Sequence, residues 1–477
     1  AIDQFVQIDR SLPKPHRFWD HLDYERIQLR SFSGGPDSPS FVVHVLDWVE
    51  FIIPSLVTYG DEFWSDLDAT RPKHGPGAVS DVDARGDKYL FPSWPPSLSA
   101  VFPSNGWASH LHSCADDCLP DSWGQDNPSS KLICVPKTLS KPRVIASEPT
   151  AMQYCQQALM VLLRRMVSGS PLSRVIAFDD QSISQMILQT NSNVGTIDLS
   201  SASDRIHPDV VQAVFKHAYP LLLGLRAVRT RYCDTGESYG LIQLNKFAPM
   251  GSAVTFPVQS IVYATVVLGS LLYEKYGKLG TRHMNPRFAV RQILDEYGHL
   301  TQVFGDDIIV PDHACVTVEL TLEALGLKVN RDKSFTGRFK ESCGMDVYDR
   351  REVTPLYLRS LEPTVGLSDV ASIIEVSNNA YMKGYWNLAA SIQKQVPRKL
   401  RAFIPVSSRP LPSLRYISFC PGTRYNSNTR RWDHDLHYWM VRGFIPRFSM
   451  KRVYRNDWLD LLQYFIEVAR GDKPVAF

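Results

Sequence analysis

The 477-residue sequence has little of several features that would narrow its class at once. Its net charge at pH 7 is only +3, its 8 cysteines are scattered, and it contains no low-complexity tract or internal repeat. The small net charge by itself excludes no partner. With 44% hydrophobic and 21% charged residues, the lack of low-complexity sequence excludes extensive disorder, so we expect most of the chain to be packed.

The cysteines do not have the close, regular spacing of a disulfide framework, and no signal peptide is visible. This pattern is typical of a reduced, cytosolic protein. One group of possible zinc ligands, His110, His112, Cys114 and Cys118, lies in SHLHSCADDC. Its spacing matches no closed zinc motif, so we favour a loop there over a metal site.

The length predicts roughly three lobes at about 150 residues each. Charge is unevenly distributed, because residues 391–477 contain 16 Lys and Arg against 6 Asp and Glu. A basic lobe on a nearly neutral protein suits a polyanionic partner such as a nucleic acid. The alternative is a solvated basic face.

One run from Met250 to Tyr273 is 24 residues long and carries no charge. Its length would allow a membrane-spanning helix. Pro257, Gln259 and several Ser and Thr residues interrupt its first half, however, and a helix buried on all sides in a large protein has the same composition. We favour the buried helix and expect no membrane partner.

Strands and helices follow each other in a mixed order. Residues 131–164 predict a strand, a basic turn, a second strand and a long amphipathic helix, and a further strand ends at Asp198. Residues 301–312 predict strand, turn and strand, whereas residues 316–329 predict a helix that runs into an edge strand. This order favours an α+β fold whose sheet is covered on one face.

Two adjacent carboxylates, Asp306 and Asp307, lie in VFGDDIIVP between short runs of β-branched and aromatic residues. Like charges at neighbouring positions raise each other's pKa and resist burial unless a cation or a proton relieves them. A hairpin turn is one explanation, since Gly and Asp are common turn residues. A cation-binding site is the other.

A third carboxylate favours the cation-binding site. Asp198 ends the strand VGTI, and if that strand neighbours the hairpin in one sheet, Asp198 converges with Asp306 and Asp307. Two divalent cations held about 3.5 to 4 Å apart would relieve their repulsion, and such a pair serves an in-line phosphoryl displacement. One ion activates an attacking hydroxyl, and the other steadies a leaving pyrophosphate.

Positive charge for a triphosphate is available upstream. Lys137, Lys141 and Arg143 lie in VPKTLSKPRVIASEP on a predicted β-turn-β arm whose turn is stiffened by Pro142. Such an arm suits phosphate clamping. A basic surface hairpin is the alternative.

Six segments resemble, in order, motifs F, A, B, C, D and E of viral RNA-directed RNA polymerases. They are KPRVIASEP, DLSSASD, MGSAVTFPVQS, FGDD, LKVNRDKSF and FKESCG, all within about residues 131–348. Each string alone is weakly specific, but six in this order are a strong signature. The chain particularly resembles the replicase catalytic (beta) subunits of Qβ-type positive-strand RNA bacteriophages, the levivirus family.

The resemblance implies roles for the acids. Asp198 and the backbone carbonyl of Leu199 correspond to the metal ligands of motif A, and Asp306 and Asp307 to those of motif C. The implied cofactor is a pair of Mg²⁺ ions, for which Mn²⁺ can substitute.

The resemblance also implies nucleotide contacts. Asp204 stands where related polymerases sense the ribose 2′-hydroxyl, although a helix N-cap is an alternative for this residue. Gly251, Ser252 and Thr255 match the motif B loop, where Gly permits close backbone approach. Gln259 replaces an Asn common in relatives, which puts the details of ribose selection in doubt.

Two more segments complete the comparison by motif. Lys333 stands where motif D offers a candidate general acid for pyrophosphate departure, and Cys343 and Gly344 resemble the motif E turn. Phe304 replaces a more common Tyr before GDD, a change that removes one hydroxyl. Thr255 and Pro257 are expected to cap and start the charge-free helix.

The fold implied is a right-hand polymerase of the α+β class. We assign residues 1–190 to an N-terminal region and fingers, 191–350 to a palm with an antiparallel sheet backed by helices, and 351–477 to a basic, mainly helical thumb. The implied activity is primer-independent replication and transcription of a phage RNA genome from ribonucleoside triphosphates. The implied partners are template and product RNA, host elongation factors Tu and Ts and a small-subunit ribosomal protein, in the cytoplasm of the bacterial host cell.

Two other functions stay open. A reverse transcriptase shares the two-Asp chemistry but predicts a different motif B and usually an attached ribonuclease H region, which the C-terminal residues do not suggest. A non-enzymatic RNA-binding protein would use the acidic pair only as a turn.

Overall fold

A computed structural model provides the structure of the chain. It describes residues 1–12, 40–70, 72–75, 77–82, 88–89, 91–108, 128–135, 142–279, 284–356, 367–401, 403–408, 411, 413–419, 430–441 and 443–445.

The chain divides into two compact units, and the described residues up to Val353 form the first. Those from Thr354 onward form the second. The assignment of fingers, palm and thumb within these units stays a prediction.

The first unit contains twelve helices among its described residues. They are α1 (Ile2–Ser11), α2 (Ser40–Leu56), α3 (Glu62–Ala69), α4 (Pro96–Ser99), α5 (Ser104–Trp107), α6 (Thr150–Ser168), α7 (Ser182–Thr190), α8 (Pro208–Phe215), α9 (Tyr219–Ala227), α10 (Thr255–Tyr276), α11 (Pro286–Tyr297) and α12 (Cys315–Ala324).

The strands of this unit form three sheets in its described part. They are β1 (Ser129–Val135), β2 (Arg143–Ser147), β3 (Val194–Asp198), β4 (Tyr232–Asp234), β5 (Leu241–Gln243), β6 (Gln302–Phe304), β7 (Asp307–Pro311), β8 (Phe339–Ser342), β9 (Met345–Tyr348) and β10 (Arg351–Glu352). The strand orders are β2-β1-β4-β5, β3-β7-β6 and β10-β9-β8. Together with the helices these mainly antiparallel sheets confirm the α+β class.

The charge-free segment forms α10, which lies in the centre of the core of the first unit. It is the one helix of the described residues that is long and apolar enough to cross a membrane, yet 94% of its most apolar window is buried inside the protein. It packs against α2, α8, α11 and α12. Its apolar residues face protein on every side, which accounts for a composition without a polar face.

The α10–α2 contact is close because Gly269 lacks a side chain. A Cβ atom at Gly269 would come within 2.4 Å of Cγ2 of Val49 and 3.1 Å of its backbone nitrogen. Val49 is itself fully buried. The glycine therefore sets the distance between the two helices.

The sheet β3-β7-β6 is covered on both faces. Ile197 and Ile308 point into the core that contains α10. Ile309 on the opposite face packs with Leu188 of α7 and Val347 of β9. The expectation of one covered face is wrong for this sheet, because α7 and the β8–β9 hairpin lie on the side that was expected to be open.

The predicted strand-turn-strand arm is formed by β1 and β2, which pair antiparallel from Lys131 with Ser147 to Val135 with Arg143. Its turn, residues 136–141, lies outside the described residues. β1 also pairs parallel with β4. Phe5 and Val6 of α1 pack against this sheet.

Two local predictions are wrong. The edge strand expected at the end of residues 316–329 is a single bridge between Val329 and Leu199, because α12 ends at Ala324 and a turn at Gly326 precedes the bridge. Thr255 is not the cap of α10: the N-cap is Val254, and the Thr255 hydroxyl donates to the carbonyl of Pro249 at 2.9 Å.

The described part of the second unit consists of helices and a hairpin. The elements are α13 (Leu367–Met382), α14 (Trp386–Gln395), α15 (Arg398–Arg401), β11 (Arg430–Asp433) and β12 (Tyr438–Val441). α13 packs against α14. A small core forms around Ile374, Val396 and Tyr416.

Replacing Gly269 by Ala is expected to lower the free energy of unfolding by about 1 to 3 kcal/mol, because the new methyl group overlaps Val49 in a packed core. Chemical denaturation measures this change. The matched control is Gly106→Ala, where a Cβ atom meets nothing within 4 Å. Equal stabilities of the two variants would contradict the packing described for α10 and α2.

Candidate active site

A cavity of about 640 Å³ opens in the first unit at the ends of β3 and β7. Its volume is in the range of small-molecule sites. Ten of the residues singled out in the sequence line it: Arg143, Asp198, Leu199, Asp204, Gly251, Ser252, Thr255, Gln259, Asp306 and Lys333. Segments separated by up to 190 positions in the chain thus share one wall.

The pairing of β3 with β7 brings the acids together. The two strands are antiparallel, and the last residue of one, Asp198, is the direct partner of the first residue of the other, Asp307. Cα atoms of such partners lie about 4.5 to 5.5 Å apart. Asp306 precedes β7 in the turn and faces the cavity with Asp198.

The acids repel one another where they lie. Burial raises the pKa of Asp198, and the nearby Asp306 raises it further. Burial and Asp306 also raise the pKa of Asp307 to about 7. The sheet therefore holds negative charge in a place where a cation or a proton would stabilise it.

One carboxylate is held by a neighbouring loop. Nδ2 of Asn330 donates to Oδ2 of Asp198 at 2.6 Å, and the backbone N–H of Asn330 donates to the Asp198 carbonyl at 2.9 Å. Asn330 stands in LKVNRDKSF and was not singled out as a site residue. Its signal was its position three residues before Lys333 in the same motif, but the contact itself requires the tertiary fold.

The turn before Asp307 requires glycine. Gly305 has φ +64°, and a Cβ atom there would lie 2.6 Å from the ring of Phe256 and 3.1 Å from Nε2 of Gln259. Its N–H donates to Oγ of Ser260 at 3.1 Å. α10 thus supports the acidic turn directly.

The loop before α10 is pressed against β2. Gly251 has φ +124°, and a Cβ atom there would lie 2.0 Å from the carbonyl oxygen of Ala146. Ala146 donates its N–H to the carbonyl of Met250 at 2.8 Å. Glycine is required for this close backbone approach.

Two polar side chains of this segment are buried without a hydrogen-bond partner. Oγ of Ser252 and Oε1 of Gln259 are both unsatisfied within the described residues. Both residues line the cavity. Buried polar atoms normally find partners, so these two are suited to a polar ligand.

Basic groups lie at the rim. Arg143, the first residue of β2, is exposed and lines the cavity. Nζ of Lys333 lies 3.6 Å from Oε2 of Glu341. Burial lowers the pKa of Lys333, but Glu341 and Asp198 outweigh this effect and the pKa is raised.

Some predicted groups cannot be placed. Lys137 and Lys141 lie outside the described residues, as does the cluster His110, His112, Cys114 and Cys118.

Cys343 and Gly344 form the turn between β8 and β9, with φ values of +50° and +73°.

Asp204 is not a helix N-cap. It lies in a 3-10 turn, and α8 is capped by His207, whose Nδ1 accepts from the N–H of Asp209. Instead, Oδ1 of Asp204 accepts from Nζ of Lys246 at 3.0 Å. Lys246 was not predicted as a site residue, since nothing in its local sequence indicates a contact with a segment 42 residues earlier.

The acids do not form a closed metal site as they stand. In the part of the chain that the structure describes, no three His, Cys, Asp or Glu side chains converge closely enough to hold an ion. Asp198 is engaged by Asn330, and Asp307 accepts from the backbone N–H of Cys343. Carboxylate oxygens are nevertheless the ligands that Mg²⁺ prefers. The register of β3 with β7 already places Asp198 opposite Asp307.

A buried glutamate supports the loop before α10 from behind. Glu148 is 2% exposed and accepts from the hydroxyl of Thr230 and from Gln156. Gln156 in turn accepts from the N–H of Ala253 at 3.2 Å. Burial raises the pKa of Glu148 to about 7 in spite of these hydrogen bonds.

Much of the chain matches a known protein family. Residues 105–280 and 289–401 match the family described as RNA replicase, beta-chain. These ranges cover more than half of the chain.

Curated relatives are replicase subunits of phages. The chain is 28% identical over 289 residues to the RNA-directed RNA polymerase subunit beta of Escherichia virus Qbeta, covering 58% of this chain and 44% of that protein. It is 30% identical over 233 residues to the RNA-directed RNA polymerase beta chain of Escherichia phage MS2, covering 48% and 37%. The matched region thus spans less than half the length of these relatives.

Among solved structures, the RNA-dependent RNA polymerase of a human picorbirnavirus aligns with a TM-score of 0.42 at 12% identity. The alignment covers 82% of this chain and 77% of that one.

The buried glutamate predicts a pH dependence of stability. Because its folded pKa of about 7 lies above the ordinary value of 4.5, the folded state holds the proton longer, and the free energy of unfolding falls as pH rises from 4.5 to 7. The slope from this one group is at most about 1.4 kcal/mol per pH unit. Denaturation of Glu148→Gln should show a flatter profile than the wild type, whereas the exposed Glu237→Gln should not. A variant profile that parallels the wild type would contradict the burial of this carboxyl.

Proposed function

The chain belongs to the RNA replicase beta-chain family, and we propose that it is an RNA-directed RNA polymerase that copies a template RNA from ribonucleoside triphosphates. The observation that carries the proposal is the register of β3 with β7, which sets Asp198 opposite Asp307 beside a cavity that Asp198 and Asp306 line. Residues of five of the six motifs, F, A, B, C and D, contribute to the wall of this cavity.

Two Mg²⁺ ions, or Mn²⁺ in their place, would be held by Asp198, Asp306, Asp307 and the backbone carbonyl of Leu199. When bound, they supply activation of the attacking hydroxyl and stabilisation of charge on the leaving pyrophosphate. Asp198 already lines the cavity, and Asn330 donates to only one of its two carboxylate oxygens. The raised pKa values of Asp198 and Asp307 support a cation there, since a cation would relieve their repulsion.

The remaining cavity residues bind and orient the nucleotide. Arg143 is exposed at the rim and is suited to the triphosphate, as are Lys137 and Lys141 from the same arm. Ser252 and Gln259 offer their unpaired oxygens to ribose or template hydroxyls. Both side chains are buried in the cavity wall.

Lys333 is suited to deliver a proton to the leaving pyrophosphate. Its raised pKa keeps the ammonium group charged at neutral pH, and it is more than half exposed at the cavity rim. A charged donor beside a departing phosphate both neutralises and protonates it. Glu341 orients the ammonium group from 3.6 Å.

The biological setting follows from the family. We propose that the template and product are the strands of a positive-strand RNA phage genome, that synthesis starts without a primer, and that it takes place in the cytoplasm of the bacterial host. Elongation factors Tu and Ts and a small-subunit ribosomal protein are the proposed host partners. The support for these points is the resemblance to Qβ-type replicases.

A polymerisation assay tests the proposal. The 477-residue chain is incubated with a template RNA, four labelled ribonucleotides and Mg²⁺, with and without bacterial host lysate. We expect full-length RNA product that chelation with EDTA abolishes, and more of it with lysate. No product under either condition would refute the polymerase function. Product formed only when deoxyribonucleotides replace the ribonucleotides in a parallel reaction would favour a reverse transcriptase.

Replacing Asp306 by Asn separates catalysis from binding. The isosteric amide removes one cation-binding charge, so Mg²⁺-dependent synthesis should fall by about a thousandfold or more, while RNA affinity measured by filter binding changes less than about threefold. The exposed Asp61→Asn serves as the matched control and should behave as wild type. Unimpaired synthesis by the Asp306 variant would assign the acidic pair to a turn only.

A further inference from the structure

A fully buried lysine lies between the first helix and the cavity. Lys246 is 0% exposed, and its Nζ lies 3.0 Å from Oδ1 of Asp204 and 3.9 Å from Oδ1 of Asp9. The same Nζ lies 3.4 Å from the centroid of the Phe5 ring. A buried ammonium group requires such partners, because burial without them is strongly unfavourable.

The backbone of this lysine is held on both sides. The carboxylate of Asp9 accepts the N–H groups of Asn245 and Lys246, both at 3.1 Å. Nη2 of Arg229 donates to the carbonyl of Lys246 at 2.8 Å. The next residue, Phe247, donates its N–H to the carbonyl of Ile206 at 2.8 Å. Lys246 is therefore a rigid support beside the turn that carries Asp204.

Asp204 has two sides with different surroundings. Lys246 takes one oxygen from within the protein, whereas the side chain remains 20% exposed and lines the cavity with Ser252 and Gln259. A carboxylate has several acceptor positions, so one lysine does not exhaust it. The lysine fixes the orientation of the carboxylate through Oδ1, so the second oxygen can accept from a ligand hydroxyl.

We propose that Lys246 is a positioning residue for sugar selection: through Asp204 it makes the cavity favour a ribose, with its 2′-hydroxyl, over a 2′-deoxyribose. The inference rests on the proposed polymerase function. Lys246 touches neither the sugar nor the reacting atoms, and it acts by fixing Asp204, whose carboxylate accepts from the sugar. Phe5 and Asp9 of α1 complete its support.

The test compares ATP with dATP on an RNA template-primer that calls for adenosine. Single-nucleotide incorporation gives the ratio of kcat/KM for the two substrates, and the shift of the melting temperature by each nucleotide gives a second readout without turnover. Lys246→Met should lower the ribose preference about tenfold, the loss expected for one hydrogen bond to a charged group. Most of that loss should lie in the KM for ATP. The difference between the melting shifts caused by ATP and by dATP should become smaller than in the wild type.

A double variant shows whether the lysine acts through Asp204. Lys246→Met/Asp204→Asn should have the same ribose preference as Asp204→Asn alone, because the lysine then has no carboxylate left to aim. The double variant also removes the Asp204 charge that Lys246→Met leaves unpaired, while Asp9 keeps the backbone N–H groups of positions 245 and 246 as partners. It therefore stands in for the single variant if that one does not fold. The matched control is Lys340→Met, since Lys340 is also buried but donates to the carbonyl of Ser192 at 2.5 Å, and it should leave the ratio unchanged.

The outcomes are distinct. A fall in ATP and dATP incorporation by the same factor in Lys246→Met, or a double variant whose ratio differs from that of Asp204→Asn, overturns this inference and leaves the polymerase function standing. A wild-type chain that incorporates neither nucleotide overturns the polymerase function, and the inference with it.

Discussion

The antiparallel pairing of β3 with β7 is the constraint on which the site depends. It joins two segments more than a hundred positions apart so that Asp198 and Asp307 are direct partners. β3 and β7, whose ends carry these acids, are apolar and packed on both faces. Because side chains alternate along a strand, a slip of one residue would turn the buried isoleucines outward, and the register is therefore strongly specified. The hydrophobic core thus determines where the carboxylates lie, although they repel one another there.

α10 connects the hydrophobic core to the cavity wall. Its central residues are buried on all sides, and its first turn carries Thr255, Phe256 and Gln259 into the cavity wall. The loop before it is pressed on β2 at Gly251, and the acidic turn rests on its Phe256 ring at Gly305. Two glycines are required here because backbone approaches backbone or an aromatic ring more closely than a Cβ atom allows. A movement of α10 would disturb both the acidic turn and the loop before α10 that contains Gly251.

The charges of the site form two groups with different roles. The acids at the ends of β3 and β7 repel one another and are suited to a cation. Asp204, in contrast, is already paired with Lys246 and is held in a fixed orientation. We expect a cation to bind to the first group and the second to remain as it is. The two roles that we propose, cation binding and sugar selection, would thus fall to different charges of one cavity.

The sequence by itself determined the motifs and their order, the α+β class, the strand that ends at Asp198 and the buried helix from Thr255, because local patterns of apolar residues and turn residues specify such elements. It did not determine the contacts of Asn330 with Asp198, of Lys246 with Asp204, or of Gly251 with Ala146. It also predicted an edge strand near Val329, where the structure has a single bridge. It predicted Thr255 as the cap of α10, whereas the N-cap is Val254. Only the tertiary structure decided these points, since they join segments far apart in the chain, and no local pattern records which distant residue will fill a buried hydrogen-bond position.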